Sequence, residues 1–87
     1  MVWFRKKEVM SKTEKAIITL LQQKEVFMDV EDIFLQLNPG CKRYSYAAVY
    51  HSVRTLNQKG AIVSEVRPFE RRKYFRINVA WSARTLE

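Results

Sequence analysis

The sequence predicts an α+β domain in which three helices precede a small antiparallel β-hairpin. The main observation is segment 44–63, which combines a helix start at Ser45, an apolar stripe at helical spacing and a stop at Gly60. Two earlier segments begin with capping residues, at Ser11 and Asp29. After Gly60, two β-rich segments flank a basic stretch, which is the pattern of a hairpin.

Length and composition indicate one domain over residues 1–87, with a core at about 11–78 and extensions at 1–10 and 79–87. The chain is 47% hydrophobic and 29% charged, as expected for a folded globular chain. No apolar run approaches a membrane span and no signal peptide is evident, so we expect a cytoplasmic protein. Cys41 is the only cysteine and there is one histidine, so we expect no internal disulfide, metal or other cofactor.

The charge of the chain is unevenly distributed. Residues 1–41 contain six Lys/Arg and six Asp/Glu, whereas residues 42–87 contain ten Lys/Arg and three acids. The whole net charge of +7 therefore lies in the half that contains the third helix and the hairpin. A basic balance often serves solubility alone, but this localisation favours a polyanionic partner.

The first helix is predicted from Lys12 to Lys24. Ser11 and Glu14 have the spacing of a capping box at its start. We expect Glu14 on the solvent face, because the apolar stripe falls on other positions. That stripe consists of Ile17, Leu20 and Leu21.

A brief extended segment, 26–28, is expected to contribute a first strand before the second helix. Asp29 is a suitable N-cap for that helix, and the acids of its first turn favour the positive end of the helix dipole. We interpret these carboxylates as caps and dipole partners rather than as a general acid/base pair. The helix buries Ile33, Phe34 and Leu37 and ends at segment 38–40.

The third helix, 45–59, has one apolar face and one face suited to contact. Val49, Val53 and Leu56 recur at helical spacing and are expected in the core. The opposite face presents small residues first and then donors of increasing reach, as a helix entering a DNA major groove does. A solvated outer face is the other interpretation. The residues of that face are Ala47, Tyr50, His51, Arg54 and Gln58.

The predicted strands, 61–66 and 73–78, are joined by an arginine-rich segment, 67–73, here called the wing. Helix, glycine, strand, basic turn and strand follow one another in the order of a winged helix-turn-helix. Phe69 at the tip either folds back onto the strands or makes an apolar contact to sugar or protein. An arginine-rich tip beside a recognition helix can enter a minor groove or grip phosphates.

The third helix also carries a family resemblance. The segments 47–54 (A-A-V-Y-H-S-V-R) and 59–62 (K-G-A-I) resemble the DNA-binding helix of the ferric-uptake-regulator family and, more loosely, penicillinase-repressor-type winged helices. The resemblance covers roughly residues 11–78 and implies that Tyr50 lies at a DNA surface. Ala48 and His51 depart from the family's Thr and Arg, which weakens or alters a contact there. We expect no counterpart of the family's separate metal-binding and dimerisation domain.

These observations predict sequence-specific binding of double-stranded DNA by a small transcriptional regulator, with the third helix in the major groove and the wing on backbone or minor groove. The alternative is a winged helix that binds protein, for which we would expect an apolar or acidic third helix and a short neutral wing. No catalytic constellation is found, so we expect no enzyme activity. The candidate DNA-contacting residues are Lys42, Arg43, Ser45, Tyr46, Ala47, Tyr50, His51, Arg54, Arg67, Arg71, Arg72 and Lys73.

The apolar residues at the two ends of the chain are candidates for a homodimer contact. Regulators of this size generally bind palindromic sites as twofold pairs. The remaining apolar side chains are Val2, Trp3, Phe4 and Trp81. They either form that contact or cap the core of a monomer.

Overall fold

The structure is a computed structural model that describes residues 10–81. The elements follow in the predicted order, so the α+β winged-helix architecture is confirmed. Residues 79–81 begin a further helical turn after the hairpin. The elements are α1 (Lys12–Lys24), α2 (Val30–Leu37), α3 (Tyr46–Lys59), β1 (Ile62–Val66) and β2 (Lys73–Ile77).

The capping box predicted at the start of α1 is present. The Ser11 Oγ accepts from the Glu14 amide at 3.2 Å, and the Glu14 carboxylate accepts from the Ser11 amide at 3.0 Å. The prediction that Glu14 faces solvent is wrong, because this residue is only 9% exposed. Its carboxylate is folded into the cap and lies 3.8 Å from the Lys59 Nζ, which connects the start of α1 to the end of α3.

Side-chain caps and a glycine also set the limits of α2 and α3. The Asp29 Oδ1 accepts from the Asp32 amide at 2.8 Å, and the Ser45 Oγ accepts from the Ala48 amide at 3.1 Å. At the end of α3, Gly60 has a φ of 84°, and the amide that follows it donates to the Leu56 carbonyl at 2.9 Å. This is a Schellman motif, in which glycine adopts the left-handed conformation without steric cost.

Asn38 holds the turn between α2 and α3. Its Nδ2 donates to the Phe34 carbonyl at 2.8 Å, while its Oδ1 accepts from the amides of Arg43 and Tyr44 at 2.6 and 2.8 Å. The sequence identified Asn38 only as part of a helix stop. In the structure the same side chain ties the end of α2 to the residues that lead into α3, and so fixes the direction in which α3 begins.

The two strands form an antiparallel hairpin in which Ile62 lies opposite Ile77. They are shorter than predicted, because Ala61 and Asn78 lie just outside the ladder, joined by one amide-to-carbonyl bond of 3.0 Å. The extended segment expected at 26–28 is reduced to an isolated bridge. Met28 exchanges two backbone bonds of 2.8 Å with Phe75 in β2.

The core lies where the three helices meet the inner face of the hairpin. The stripes predicted for α1 and α3 are buried, and the whole outer face predicted for α3 is exposed. In residues 10–81 no helix has both the length and the apolar character needed to cross a membrane. The largest fully buried side chains are Ile17, Leu21, Ile33, Leu56, Ile62, Val49 and Val53.

Candidate nucleic-acid interface

The outer face of α3 carries donors that are not committed elsewhere. Ala47, His51 and Arg54 are exposed, and Tyr50 is 47% exposed. Within residues 10–81, His51 and Arg54 form neither an ion pair nor a side-chain hydrogen bond. Because the opposite face of α3 is anchored in the core, the backbone of the helix is fixed and the side chains of this outer face are available to a partner.

An aromatic row stiffens the first half of that face. The Tyr46 and Tyr50 rings stack with centroids 6.5 Å apart at an interplanar angle of 16°. The Phe34 ring of α2 meets the Tyr46 ring edge-on at 5.5 Å. Tyr46 is still 45% exposed, so the contact orients its ring without removing it from solvent.

An open cleft of about 350 Å³ joins α3 to the hairpin and to the start of α2. The structure brings five of the sequence-predicted residues together around it, although they come from two separate parts of the chain. A ligand in contact with α3 along this cleft therefore also meets the base of the wing. The five residues are Tyr46, Tyr50, Arg54, Arg72 and Lys73.

Arg72 differs from the other predicted cations because two carboxylates neutralise it. Its Nη1 lies 2.6 Å from the Asp29 Oδ2 and 3.3 Å from the Glu31 Oε1. Burial alone would raise the pKa of Asp29, but the bonds from the Asp32 amide and the Arg72 guanidinium outweigh it and lower that pKa. The hydrogen bond to Asp29 likewise raises the pKa of Arg72. The pair ties the wing to the first turn of α2.

Tyr74 braces the turn at the tip of the wing, a role that sequence reasoning missed. The Arg67 guanidinium lies 4.0 Å above the Tyr74 ring centroid and 3.4 Å from a Glu65 carboxylate oxygen. The Tyr74 hydroxyl donates to the Glu70 carboxylate at 2.6 Å, and this bond is the main cause that raises the pKa of Tyr74. The alternation of 74–77 was an available signal, because burial of Phe75 places Tyr74 on the opposite face.

The remaining predicted residues lie at the edges of this surface. Arg43 lines a second cleft with the α1 residues Lys12 and Lys15, away from Tyr50 and Arg54. Ser45 is exposed, but its hydroxyl oxygen already serves the α3 cap. Lys42 and Arg71 are exposed and, like Lys73 at the cleft, make no ion pair in the described part of the chain.

The three-helix core with its hairpin defines a winged helix-turn-helix domain. A sequence model of the ferric uptake regulator family matches residues 7–83. The chain therefore belongs to the ferric uptake regulator family, whose members are DNA-binding transcription regulators that form dimers. The resemblance predicted from the third helix is confirmed, and membership of a regulator family supports the expectation that the chain is not an enzyme.

Solved structures show the same fold. GAS PerR-Zn-Zn matches with a TM-score of 0.73 and 24% identity, over 84% of this chain and 47% of that one. PerR from Streptococcus pyogenes, a protein of peroxide sensing and gene regulation, matches with a TM-score of 0.72 and 24% identity, over 84% of this chain and 50% of that one. The ferric uptake regulator from Francisella tularensis with iron matches with a TM-score of 0.71 and 15% identity, over 80% of this chain and 53% of that one.

The chain spans about half the length of these structures. A comparison with curated protein sequences finds no match. Although two of the related structures are described with zinc or iron, residues 10–81 of this chain contain no group of three His, Cys, Asp or Glu side chains that could hold a metal ion.

Proposed function

We propose that this chain binds double-stranded DNA in a sequence-specific manner and regulates transcription in the cytoplasm. In this proposal α3, with its cap at Ser45, lies in the major groove, and the wing contacts the backbone or the minor groove. The observation that supports it most is the juxtaposition of Tyr50 and Arg54, on a core-anchored helix, with the base of the wing around one cleft. Family membership supports the same function.

The side chains of α3 differ in reach, which suggests separate roles. Arg54 has the length and the planar donor fork to contact a guanine edge, while Tyr50 and His51 are shorter donors. Ala47 near the start of α3 allows the helix to approach the groove floor closely. Because Tyr46 is stacked on Tyr50, we propose that Tyr46 positions the Tyr50 ring and contacts the groove with its exposed part.

The exposed cations outside α3 suit phosphate contacts, which fix orientation without reading sequence. Lys42 and Arg43 lie in the turn that leads to α3, and Arg71 and Lys73 lie in the wing. The guanidiniums of Arg67 and Arg72 are partly committed to Tyr74 and to the acids of α2. We therefore assign these two arginines mainly to holding the wing in place, with a weaker direct contribution to binding.

We also propose that the chain acts as a homodimer, as members of its family do. The predicted contact residues Val2, Trp3 and Phe4 lie outside the described residues. Trp81 is half-buried against the core, which favours a role in the monomer for at least part of its ring. Sedimentation of the intact chain and of a Trp3→Ala/Trp81→Ala variant tests the contact. A monomeric wild type at tens of micromolar, or a dimeric variant, argues against these residues.

Titration of the intact chain with duplex DNA at several salt concentrations tests DNA binding directly. Each phosphate neutralised lowers the logarithm of the binding constant by roughly 0.9 for a tenfold rise in salt. We expect a steep dependence from the contacts proposed for Lys42, Arg43, Arg71 and Lys73. Absence of binding at low salt, or binding that ignores salt, contradicts the proposal and favours a protein-binding module.

A further inference from the structure

Phe69 at the tip of the wing has an environment that the fold does not explain. It is the most exposed large apolar residue among residues 10–81, at 106% of its reference surface. An aromatic side chain ordinarily buries roughly 150–250 Å², and that burial is its main contribution to stability. Within the described residues, the alternative that Phe69 folds back onto the strands is therefore wrong.

The backbone of Phe69 is also unfavourable for this residue type. The Glu70 amide donates to the Arg67 carbonyl at 3.1 Å, which closes a four-residue turn with Pro68 at its second position. Phe69, at the third position, has a φ of 67°. A positive φ after proline defines a type II turn, in which this position normally holds glycine or asparagine. Both the positive φ of this position and the exposure of the ring to solvent therefore disfavour phenylalanine here.

Contacts on each side of Phe69 fix the direction of the turn. The Tyr74 side chain holds both ends, with its ring under Arg67 and its hydroxyl on Glu70. Arg71 follows directly and is exposed, with no ion pair in the described part of the chain. The tip is thus an apolar ring on a turn that is held at both ends, next to an exposed cation. Such a tip is complementary to a partner whose apolar surface lies between negatively charged groups.

We propose that Phe69 is an apolar wedge that enters the minor groove of bound duplex DNA and packs against sugars and base-pair edges. Arg71 holds an adjacent phosphate. This inference rests on the proposed DNA binding. Apolar wedges partially unstack a base step, and pyrimidine–purine steps unstack most easily. The wing would therefore add a preference for such steps without any hydrogen bond to a base.

The substitution Phe69→Gly separates this role from a structural one. Loss of an aromatic contact to a base is expected to weaken affinity by about tenfold, within the range found for base stacking. The slope of affinity against salt should not change, because the ring carries no charge. The thermal midpoint should not fall, since glycine accepts the positive φ without strain. A residue needed for folding would instead lower that midpoint.

The experiment uses the intact chain and duplexes enriched by it from a random pool, with fluorescence anisotropy at several salt concentrations. A 2-aminopurine beside a pyrimidine–purine step should brighten on binding of wild type and of Phe69→Tyr, but not of Phe69→Gly. Leu35→Ala is the matched control, because Leu35 is a 64%-exposed apolar residue of α2 outside the proposed interface. It should leave affinity and fluorescence unchanged.

The possible results separate failure of the wedge from failure of DNA binding. If wild type shows no salt-dependent binding, the proposed function fails and the wedge with it. If wild type binds and Phe69→Gly binds equally well, only the wedge is overturned. A change in sedimentation with unchanged DNA affinity would also overturn the wedge, because it would mean that Phe69 packs against protein.

Discussion

The third helix and the wing are both basic and exposed, but they are held in place in different ways. The side-chain cap of Ser45, the stop at Gly60 and a stripe of buried residues hold α3 in place. On its outer face, His51 and Arg54 form no ion pair or side-chain hydrogen bond within residues 10–81. No side chain of the wing is buried, although the hairpin that carries it buries Ile62, Phe75 and Ile77. Surface side chains such as Arg72 and Tyr74 hold the wing in place instead. The helix is held by buried residues, so its outer side chains remain available to a partner. In the hairpin, some of the arginines form ion pairs that hold the wing in place.

Arg54 and Arg72 show this difference at the level of single residues. Both were expected to contact DNA, and both line the same cleft. Arg54 has no ion-pair partner in residues 10–81, whereas two carboxylates of α2 lie within 3.3 Å of Arg72. Counting Lys and Arg in the sequence therefore overestimates the positive charge that the hairpin has available for a polyanion. The overestimate is smaller for α3.

The largest expected effect concerns the turn that sets the direction of α3. Asn38→Ala removes one donor and one acceptor that together make three hydrogen bonds to backbone groups. We expect a loss of about 2–3 kcal/mol in the free energy of unfolding, since each of the three bonds contributes roughly 1 kcal/mol. Denaturant unfolding of the intact chain measures it.

Asn38→Asp is the control for this prediction, because a carboxylate still accepts from the Arg43 and Tyr44 amides but cannot donate to the Phe34 carbonyl. Its loss should be clearly smaller than that of the alanine variant. A change below about 0.5 kcal/mol for Asn38→Ala, as expected of an ordinary surface position, would mean that the turn does not depend on this side chain.

The second prediction compares a helix arginine with a wing arginine on DNA. If Arg54 reads a base edge, Arg54→Ala should reduce discrimination between the selected and random duplexes by about 1–3 kcal/mol. If Arg71 holds only a phosphate, Arg71→Ala should weaken both duplexes alike and reduce the salt slope by roughly 1. Competition binding at two salt concentrations measures both quantities. Equal effects of the two substitutions on both duplexes would remove Arg54 from the list of readers.

The fold could be predicted almost completely because its signals are local. Caps at Ser11, Asp29 and Ser45, helical spacing of apolar residues and the stop at Gly60 each act within a few residues, and each is present in the structure. Glu14 was misplaced because the capping box that it forms also buries it beside Lys59, a residue far away in sequence. The strand expected at 26–28 is reduced to one bridge, because only Met28 pairs with β2.

The arrangement of the candidate interface was less predictable, because it depends on long-range pairs. Nothing local indicates that Arg72 reaches Asp29, which lies 43 residues earlier in the chain. Spacing also gives no sign that Asn38 organises the turn, since its three partners are backbone groups, two amides and one carbonyl. Exposure of the α3 donors was predictable from helical periodicity alone. Periodicity thus identifies which side chains face outward, but not which of them remain unpaired.

The third prediction tests whether the Arg72 pair holds the wing. Asp29→Asn keeps an acceptor for the Asp32 amide, so the cap is retained while the charge opposite Arg72 is lost. Because the pKa of Asp29 is lowered in the folded chain from its ordinary value of 3.8, the ionised carboxylate stabilises the fold above that value. This contribution disappears as the pH falls through the lower folded pKa.

Denaturant midpoints of wild type and Asp29→Asn at several pH values measure this contribution. The variant should be the less stable near neutral pH, and the difference should narrow once the pH falls below 3.8. Asp32→Asn is a matched control, because Asp32 is an exposed acid of the same helix turn with no ion pair in residues 10–81. A difference between wild type and Asp29→Asn that does not vary with pH would show that ionisation of Asp29 is not responsible.

The smallest expected effect concerns the brace under the wing turn. Tyr74→Phe removes the hydroxyl that donates to Glu70 but leaves the ring beneath Arg67. The pKa of Tyr74 is raised, so the hydroxyl is protonated near neutral pH and the bond is present there. We expect roughly a twofold loss of affinity for selected and random duplexes alike, the size of one exposed hydrogen bond.

Tyr74→Ala removes the ring as well and tests whether Tyr74 acts through Phe69. If the braced turn matters because it directs Phe69, the alanine variant should lose more affinity than Tyr74→Phe, and the loss should largely vanish in a Phe69→Gly background. Affinities of the two single variants and the double variant, measured at one salt concentration, give this coupling. Additive losses would mean that Tyr74 and Phe69 act independently, and the wing would then need no fixed tip to bind DNA.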